Sequence, residues 1–213
     1  MRLWGLPLRG RGDSRLYTFC RWIAVPLFGG LYRCRCRGAG HLPAEGPAIV
    51  VVNHKALVDP VVIGMVCDRP LRYMAKKELF RNPLLRWLIT TLGAFPVDRG
   101  AGDRRALETS LAVLAAGGVL LMFPEGHRHR DDAVHEFLPG VGLIALRSGA
   151  PVVPAASKGT AELWRDGRPG FPALRVALGP PLDLSDLKGR GSKVYAEAAR
   201  RMQAAVAELH AGL

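Results

Sequence analysis

Residues 48–60 read AIVVVNHKALVDP and place a histidine directly after a short apolar run. Residues 49–52 are all β-branched, and Gly46-Pro47 precede the run, so it predicts a short buried strand. His54 then lies where this strand leaves a sheet. In an open α/β sheet that edge collects ligands and catalytic groups, so the histidine is a candidate for chemistry.

Asp59 follows this histidine by five residues. A carboxylate beside an imidazole fixes its tautomer and raises its basicity, which suits a general base at neutral pH. The other interpretation is structural: Pro60 fits the start of a helix, and Asp59 is then only the N-cap of that helix. The stretch alone leaves both interpretations open, because histidine and aspartate often occur at this spacing.

The net charge of +12 is concentrated at the amino terminus. Residues 1–37 contain eight arginines and one acid, Asp13, so this segment carries +7 of the total. A basic terminal segment indicates an anionic partner, either nucleic acid or a lipid surface. The chain lacks a helix-turn-helix pattern, an aromatic stacking platform and a basic stripe on its core, so we expect no nucleic acid.

Residues 16–31 come closest to a membrane span, but Arg21, Pro26 and Gly29-Gly30 interrupt them. The stretch is shorter than the roughly 20 apolar residues that a spanning helix needs. Aromatic and arginine side chains interleaved with leucine are typical of a helical segment that lies in a membrane interface. The alternative is a helix packed on the core of the domain. No small-residue cleavage pattern follows, which argues against a signal peptide.

Strand and helix patterns alternate after residue 37, which predicts an α/β fold with a mostly parallel sheet of about seven strands covered by helices. Strict alternation over residues 32–37 predicts a half-exposed edge strand, and Pro96 places its own strand at an edge or at a strand end. Residues 1–15, rich in glycine and arginine, are expected to be disordered or loosely bound at the surface. Further strands are expected at 71–75, 119–123, 151–156 and 174–178, and helices at 60–67, 82–93, 103–116, 140–148 and 193–210.

Two later turns also place charged side chains directly after predicted strands. One carries Arg99, and the other carries Glu125 and Arg128 around a glycine. If the sheet is parallel, these side chains share its carboxyl edge with His54. A base beside two guanidinium groups, whose geometry suits phosphate, implies a hydroxyl nucleophile on a phosphate-bearing substrate. No serine or cysteine in these turns forms a nucleophile elbow, which argues against a covalent intermediate.

Four short blocks follow one another along the chain: Asn53-His54 with Asp59, residues 95–99, Phe123-Pro124-Glu125-Gly126 with Arg128, and residues 151–154. In this order they resemble the glycerophospholipid acyltransferases, in particular the 1-acylglycerol-3-phosphate acyltransferases. The resemblance covers about residues 38–184 and includes further matches at 75–80 and 178–182. Because four blocks occur in the same order, the match is specific, although each block alone is short.

The resemblance implies an O-acyltransferase that needs neither a cofactor nor a metal. In that family His54, held by Asp59, would deprotonate the acceptor hydroxyl, and the alkoxide would attack the thioester of acyl-CoA or acyl-carrier protein. The acceptor would be a lysophospholipid, 1-acylglycerol-3-phosphate, and the product phosphatidate. Pro154 would shape the acyl region, and the glycerol phosphate would be bound by Arg99, Glu125, Gly126 and Arg128.

The resemblance also gives the amino-terminal segment a role. Residues 1–37 would dock on an anionic membrane surface, and residues 38–213 would form the acyltransferase domain. We therefore expect a peripheral or monotopic protein on the cytoplasmic side of the cell membrane. The cysteines agree with that compartment, because they show neither a C-x-x-C pair nor a zinc spacing.

Three positions depart from the family pattern: Ala56, His127 and Leu138-Pro139. All three touch the acceptor side, so the alternatives are another lyso-lipid or lipid alcohol as acceptor, or a non-catalytic lipid-binding homologue. A group of polar residues follows the third block without an ordered ligand spacing. We interpret its members as solvated loop residues that can meet phosphate rather than as a metal site: His127, His129, Asp131, Asp132 and His135.

Overall fold

The computed structural model describes residues 2–3, 6–8, 10, 12–98, 103–129, 131–165, 167–189 and 191–213. The α-helices are α1 (Arg15–Ala24), α2 (Asp59–Val66), α3 (Pro83–Thr91), α4 (Arg104–Ala115), α5 (Gly140–Ser148) and α6 (Ser192–Ala211). Val25–Leu31 continues α1 as a π-helix, and 3₁₀ turns lie at Ala39–His41, Lys77–Phe80 and Thr160–Leu163. The strands are β1 (Arg2–Leu3), β2 (Leu6–Pro7), β3 (Arg35–Arg37), β4 (Ala48–Val52), β5 (Leu71–Lys76), β6 (Ala94–Val97), β7 (Val119–Met122), β8 (Val152–Lys158), β9 (Trp164–Arg165), β10 (Arg168–Pro169) and β11 (Arg175–Leu178).

Seven strands form one sheet in the order β3-β11-β8-β4-β7-β5-β6. The central strand β4 pairs in parallel with β7 and β8, and β5 and β6 extend the parallel part. At the other end β11 runs antiparallel to β8 and parallel to β3. The prediction of an α/β fold with a mostly parallel sheet of about seven strands is therefore confirmed.

Helices cover both faces of this sheet. All five residues of β4 are buried, which explains why the strand is apolar throughout rather than alternating. Val50 and Val52 pack on the side of α2, and Ile49 and Val51 pack on the side of α5 and α6. We call these two sides of the sheet the α2 face and the α6 face.

The two edge strands agree with their sequence patterns. β3 exposes Arg35 and Arg37 on either side of the half-buried Cys36, as strict alternation predicts for an edge. β6 contains Pro96 and lies at the opposite edge, where its missing N–H interrupts no ladder. Two predicted helix starts are also confirmed, since Asn82 caps α3 and Asp103 caps α4 through their side-chain oxygens.

The expectation that residues 1–15 are disordered or loosely bound at the surface is wrong for the residues that the structure describes there. β1 and β2 pair as a short antiparallel ladder, and Leu6 and Leu8 are buried in the cluster that contains Val50. Glycine- and arginine-rich composition predicts disorder, but the free energy gained by burying a few leucine side chains is enough to order the segment. The cluster also takes in Phe28, so residues on both sides of position 37 share one core; the domain boundary at residue 37 stays a prediction.

Buried Arg21 fastens α1 to the end of α2. Its guanidinium donates to the carbonyl oxygens of Met65, at 3.0 Å, and of Cys67, and its Nε lies 2.8 Å from a carboxylate oxygen of Asp13. These carbonyls at the carboxyl end of a helix favour a cation.

None of the helices within the described residues combines the length and apolar content that crossing a bilayer requires.

Candidate active site

The chain leaves β4 through Asn53, whose side chain replaces the backbone in the ladder with β8. The amide Nδ2 donates to the carbonyl oxygen of Ser157, and Oδ1 accepts from the Ser157 N–H, both at 2.9 Å. Asn53 is fully buried, so neither pair competes with water. This pair of hydrogen bonds fixes the point at which His54 turns out of the sheet.

His54 and Asp59 are in direct contact. His54 Nδ1 lies 2.8 Å from Asp59 Oδ2, and this carboxylate oxygen also accepts from the backbone N–H groups of Lys55 (2.7 Å) and Ala56 (2.8 Å). Asp59 is completely buried. The prediction that Asp59 is the N-cap of α2 is wrong: Val58 occupies that position, and the carboxylate turns back to the loop where three donors meet it.

The contact decides which imidazole nitrogen is available. An ionised carboxylate only accepts hydrogen bonds, so His54 Nδ1 carries the proton and Nε2 is the acceptor. Within the described part of the chain, Nε2 has no hydrogen-bond partner. The ring stacks on Phe123 with centroids 4.2 Å apart, on the α2 face of the sheet. His54 is thus oriented on two sides and presents one free lone pair.

Glu125 ties the turn after β7 to His54. The carboxylate is buried and accepts from the backbone N–H of His54 through Oε2 (3.4 Å) and from that of His135 through Oε1 (3.3 Å). Burial raises the pKa of Glu125, an effect that the nearby Lys55 ammonium and the two backbone donors oppose. Both carboxylate oxygens therefore contact the protein backbone, which fixes the turn relative to the histidine.

Gly126 allows this turn to close. Its φ is +78°, and a Cβ at this position would lie 2.9 Å from Leu138 Cδ1. The Leu138 N–H donates to the Pro124 carbonyl oxygen at 2.9 Å. Leu138, one of the departures from the family pattern, consequently covers the glycine turn.

The other three predicted binding residues are not all brought to His54. Arg128 is exposed in the loop whose next residue, His129, donates its N–H to the His54 carbonyl oxygen at 3.0 Å. Arg99 lies outside the described residues. Pro154 lies midway between Val152 and Ala156, which are α6-face residues of β8, and a Cβ on Gly179 would lie 3.1 Å from its Cγ. Its ring is therefore on the opposite face of the sheet from the His54 ring.

The sequence interpretation missed Lys55. The residue is buried, its Nζ donates to the Ala133 carbonyl oxygen, and the same Nζ lies 3.4 Å from Asp131 Oδ1. A lysine in a loop is usually exposed, so composition gives no signal for this burial. Lys55 holds the loop at 131–135 against the turn that carries His54.

Three imidazoles lie in a row in the same loop, with the rings of His129 and His135 stacked and that of His127 tilted. The ring centroids of His127 and His129 are 4.4 Å apart, and those of His129 and His135 are 3.5 Å apart. Burial, the two flanking imidazoles and Lys55 lower the pKa of His129. Within the described ranges the acidic and imidazole groups do not assemble a set of ligands that could hold a metal ion. The interpretation as loop residues close to an anion site stays a prediction.

A cleft of about 60 Å³ lies between α1, α2 and β5. The helix α2 connects it to the candidate base, because Asp59 begins this helix and Val61 and Met65 line the cleft. Gly64 keeps α1 and α2 close, since a Cβ there would be 3.0 Å from the Tyr17 hydroxyl. The lining is mostly apolar, so an apolar recess lies along the helix that follows the candidate base.

Comparison with known proteins gives a consistent result. The Acyltransferase family model matches residues 33–158. The chain is similar to the 1-acyl-sn-glycerol-3-phosphate acyltransferase of Bacillus subtilis (strain 168), with 30% identity over 185 residues that cover 84% of this chain and 88% of the relative. It is also similar to the lyso-ornithine lipid O-acyltransferase of Pseudomonas aeruginosa, with 33% identity over 134 residues that cover 62% of this chain and 49% of the relative.

A solved structure shares the fold. The crystal structure of the 1-acyl-sn-glycerophosphate (LPA) acyltransferase PlsC from Thermotoga maritima superposes with a TM-score of 0.73 at 26% sequence identity. The match covers 92% of this chain and 80% of that chain. The similarity therefore extends over most of the chain.

Proposed function

Because the chain belongs to the Acyltransferase family, we propose that it transfers a fatty acyl group from a thioester donor to the hydroxyl of 1-acylglycerol-3-phosphate and so forms phosphatidate. The observation that carries the proposal is the 2.8 Å contact between His54 Nδ1 and Asp59 Oδ2 at the carboxyl end of β4. The substrate named for the relatives from Bacillus subtilis and Thermotoga maritima supports this acceptor.

In the proposed reaction His54 is the general base. Its Nε2 removes the proton of the acceptor hydroxyl while the hydroxyl oxygen attacks the thioester carbonyl carbon. The tetrahedral intermediate then collapses, the carbon–sulfur bond breaks, and the departing thiolate takes the proton back from Nε2. Asp59 holds the ring and stabilises the imidazolium in between, as carboxylates do in other histidine dyads. The products are the acylated acceptor and the free thiol of CoA or acyl-carrier protein.

The acceptor phosphate is assigned to the arginines. Arg128 is exposed one residue from the loop contact with His54, and Arg99 follows the edge strand β6. Guanidinium groups bind phosphate through paired, charge-assisted hydrogen bonds. Gly126 lets the backbone approach the ligand, and Glu125 keeps the turn in place through its two backbone contacts. Pro154 would shape the acyl region from within β8.

A different lyso-lipid is the second candidate acceptor. Leu138 covers Gly126, and His127 is exposed in the turn, so two departures from the family pattern alter the surface beside Arg128. A relative named lyso-ornithine lipid O-acyltransferase also supports this alternative. The reaction and the role of His54 are the same for both acceptors.

The amino-terminal segment, residues 1–37, is proposed to dock the protein on an anionic membrane at its cytoplasmic side. α1 exposes Phe19, Trp22 and Ile23, whereas the opposite side of the same helix is anchored by the buried Arg21. Apolar and aromatic side chains on one helix side suit the boundary between headgroups and acyl chains. Each arginine near such a surface adds about 1 kcal/mol.

The test is acyl transfer by the purified chain with radiolabelled acyl-CoA or acyl-carrier protein and a panel of acceptors. The panel contains 1-acylglycerol-3-phosphate, other lysophospholipids, lyso-ornithine lipid and a lipid alcohol. We expect phosphatidate to form fastest, with release of one thiol per acyl group. Faster acylation of another acceptor would establish the second candidate. Binding of lyso-lipid without thiol release from either donor would contradict the enzymatic function.

A further inference from the structure

The helix α3 turns an apolar side away from the protein. None of its residues is buried, although the sequence of Pro83–Thr91 is largely apolar. Leu84, Trp87 and Leu88 are 73%, 57% and 36% exposed. They lie at helical spacing i, i+3 and i+4, so they form one continuous stripe. Exposed apolar side chains grouped in this way mark an interaction surface rather than scattered surface residues.

The same arrangement occurs on α1. Phe19, Trp22 and Ile23 are exposed at the same spacing, again with a tryptophan in the middle. The two helices border the same cleft, because Cys20 of α1 and Leu92, directly after α3, both line it. Two outward apolar stripes therefore flank one opening in the α2 face of the sheet.

Two exposed arginines accompany the stripe on α3. Arg81 precedes the N-cap residue Asn82, and Arg86 lies two positions after Leu84, on the side of α3 opposite the stripe. Among the described residues neither forms an ion pair with a carboxylate, whereas Lys77 nearby is paired with Asp98. A helix with apolar and aromatic side chains on one side, and unpaired arginines on the other side and before its start, is the combination that anionic membrane interfaces bind.

We propose that α3 is a second membrane-contact surface, which inserts Leu84, Trp87 and Leu88 into the interface of an anionic bilayer while Arg81 and Arg86 contact the headgroups. A second copy of the chain fits this surface less well. Three side chains on one short helix bury too little area for a stable dimer, and paired copies would bring their arginines together. The proposal goes beyond docking by residues 1–37, since it places the bilayer on both sides of the cleft.

Docking on two helices has a consequence for the reaction. One helix leaves the domain free to tilt about the contact, whereas two contacts that flank the cleft fix its opening toward the lipid. The proposed acceptor is itself a membrane lipid, so this orientation matters for acceptor in a bilayer and not for a soluble one. The prediction separates the role of α3 from the chemistry at His54.

The test compares three full-length variants in co-sedimentation with vesicles of phosphatidylcholine and phosphatidylglycerol. Leu84→Gln/Trp87→Gln/Leu88→Gln replaces the apolar stripe by polar side chains, and glutamine is chosen because it favours the helix. Trp164→Gln is the matched control, because Trp164 is 66% exposed but lies in β9. We expect the triple variant to bind roughly tenfold more weakly and the control to bind like wild type. Arg81→Gln/Arg86→Gln should weaken binding only when phosphatidylglycerol is present.

Activity on a soluble short-chain acceptor completes the test. The triple variant should retain this activity and lose activity on bilayer-embedded acceptor, whereas failure of the proposed reaction would abolish both in wild type. Unchanged vesicle affinity of the triple variant would overturn the proposal. Equal weakening by Trp164→Gln would do the same, because the effect would then be general. If the triple variant instead converts a dimer into a monomer in light scattering, with vesicle affinity unchanged, the surface is an interface between copies.

Discussion

The side chain of Asn53 forms two hydrogen bonds with the backbone of Ser157, each 2.9 Å long, and so extends the β4–β8 ladder beyond the last residue of β4. Asparagine can make this pair because its amide presents one donor and one acceptor, like a peptide group. Asn53, the residue before the proposed base, is therefore joined to the sheet through its side chain instead of its backbone. The base stands on the rigid edge of the sheet rather than on a loose loop.

Replacing Asn53 by alanine should lower the free energy of unfolding. The substitution leaves a buried N–H and a buried C=O of Ser157 without partners, at a cost of about 1–3 kcal/mol. Urea unfolding followed by circular dichroism measures the change. Ser148→Ala is a control, because its half-buried hydroxyl makes only local contacts: it donates to the Ala145 carbonyl oxygen and accepts from the Ala150 N–H. Equal stability of the Asn53 variant and wild type would show that water replaces the amide.

Replacing Gly126 by alanine should destabilise the turn that carries Arg128. The residue has φ +78°, and the added Cβ would meet Leu138 Cδ1 at 2.9 Å. A left-handed conformation costs about 1–2 kcal/mol for a residue with a Cβ. Gly140→Ala is the matched control, because nothing lies within 4 Å of a Cβ there and its φ is not positive. Thermal unfolding should show a loss for the first variant and none for the second.

The stability of the protein should depend on the protonation of Glu125. Burial raises the pKa of Glu125 in the folded chain above its ordinary value of 4.5. Its folded state then binds the proton more tightly than the unfolded state, so this group contributes stability below pH 4.5 that is lost as the pH rises through the folded pKa. Glu125→Gln cannot titrate, and the difference in unfolding free energy between wild type and variant should fall across that range. A pH-independent difference would contradict the raised pKa.

Replacing Arg128 by alanine should affect the acceptor and not the donor. A charge-assisted hydrogen bond to phosphate contributes about 1.5–3 kcal/mol, so the KM for the acceptor should rise by roughly 10- to 100-fold. The KM for the thioester should stay constant. Arg147→Ala removes an exposed arginine of α5 and is the control. An increase in the donor KM instead would assign Arg128 to the CoA moiety.

The sequence allowed most of the sheet to be predicted, because its central strands β4, β7 and β8 are buried on both faces. Residues 48–52 are apolar without a break, and only a covered parallel strand tolerates that. The edges were also predictable, since strict alternation around Cys36 and a proline at position 96 both exclude a central strand. The Asp59 cap was predicted wrongly because capping rules consider only the following helix. They do not include the preceding loop, where His54 Nδ1 and two backbone N–H groups compete with the helix for the Asp59 carboxylate.

Two features of the structure, the exposed apolar stripe of α3 and the burial of Lys55, could not be predicted from a local sequence pattern. The apolar residues of α3 have helical spacing, but spacing does not tell whether the stripe faces the core or solvent. Lys55 is buried because Ala133 and Asp131, almost 80 residues later, meet its ammonium, and such a pairing depends on the tertiary fold. The assignment of Arg99, Arg128 and Pro154 to substrate rests on the family resemblance, and it stays a prediction.

The most direct measurement of the central claim is the rate of acyl transfer by His54→Ala, compared with Asp59→Asn and wild type at saturating donor and acceptor. We predict a loss of about 10²- to 10⁴-fold in kcat for His54→Ala, with unchanged vesicle binding and thermal stability close to wild type. Asp59→Asn should lose somewhat less, because the imidazole remains while its orientation and charge support are lost. A His54→Ala variant that transfers acyl groups at the wild-type rate would contradict the account.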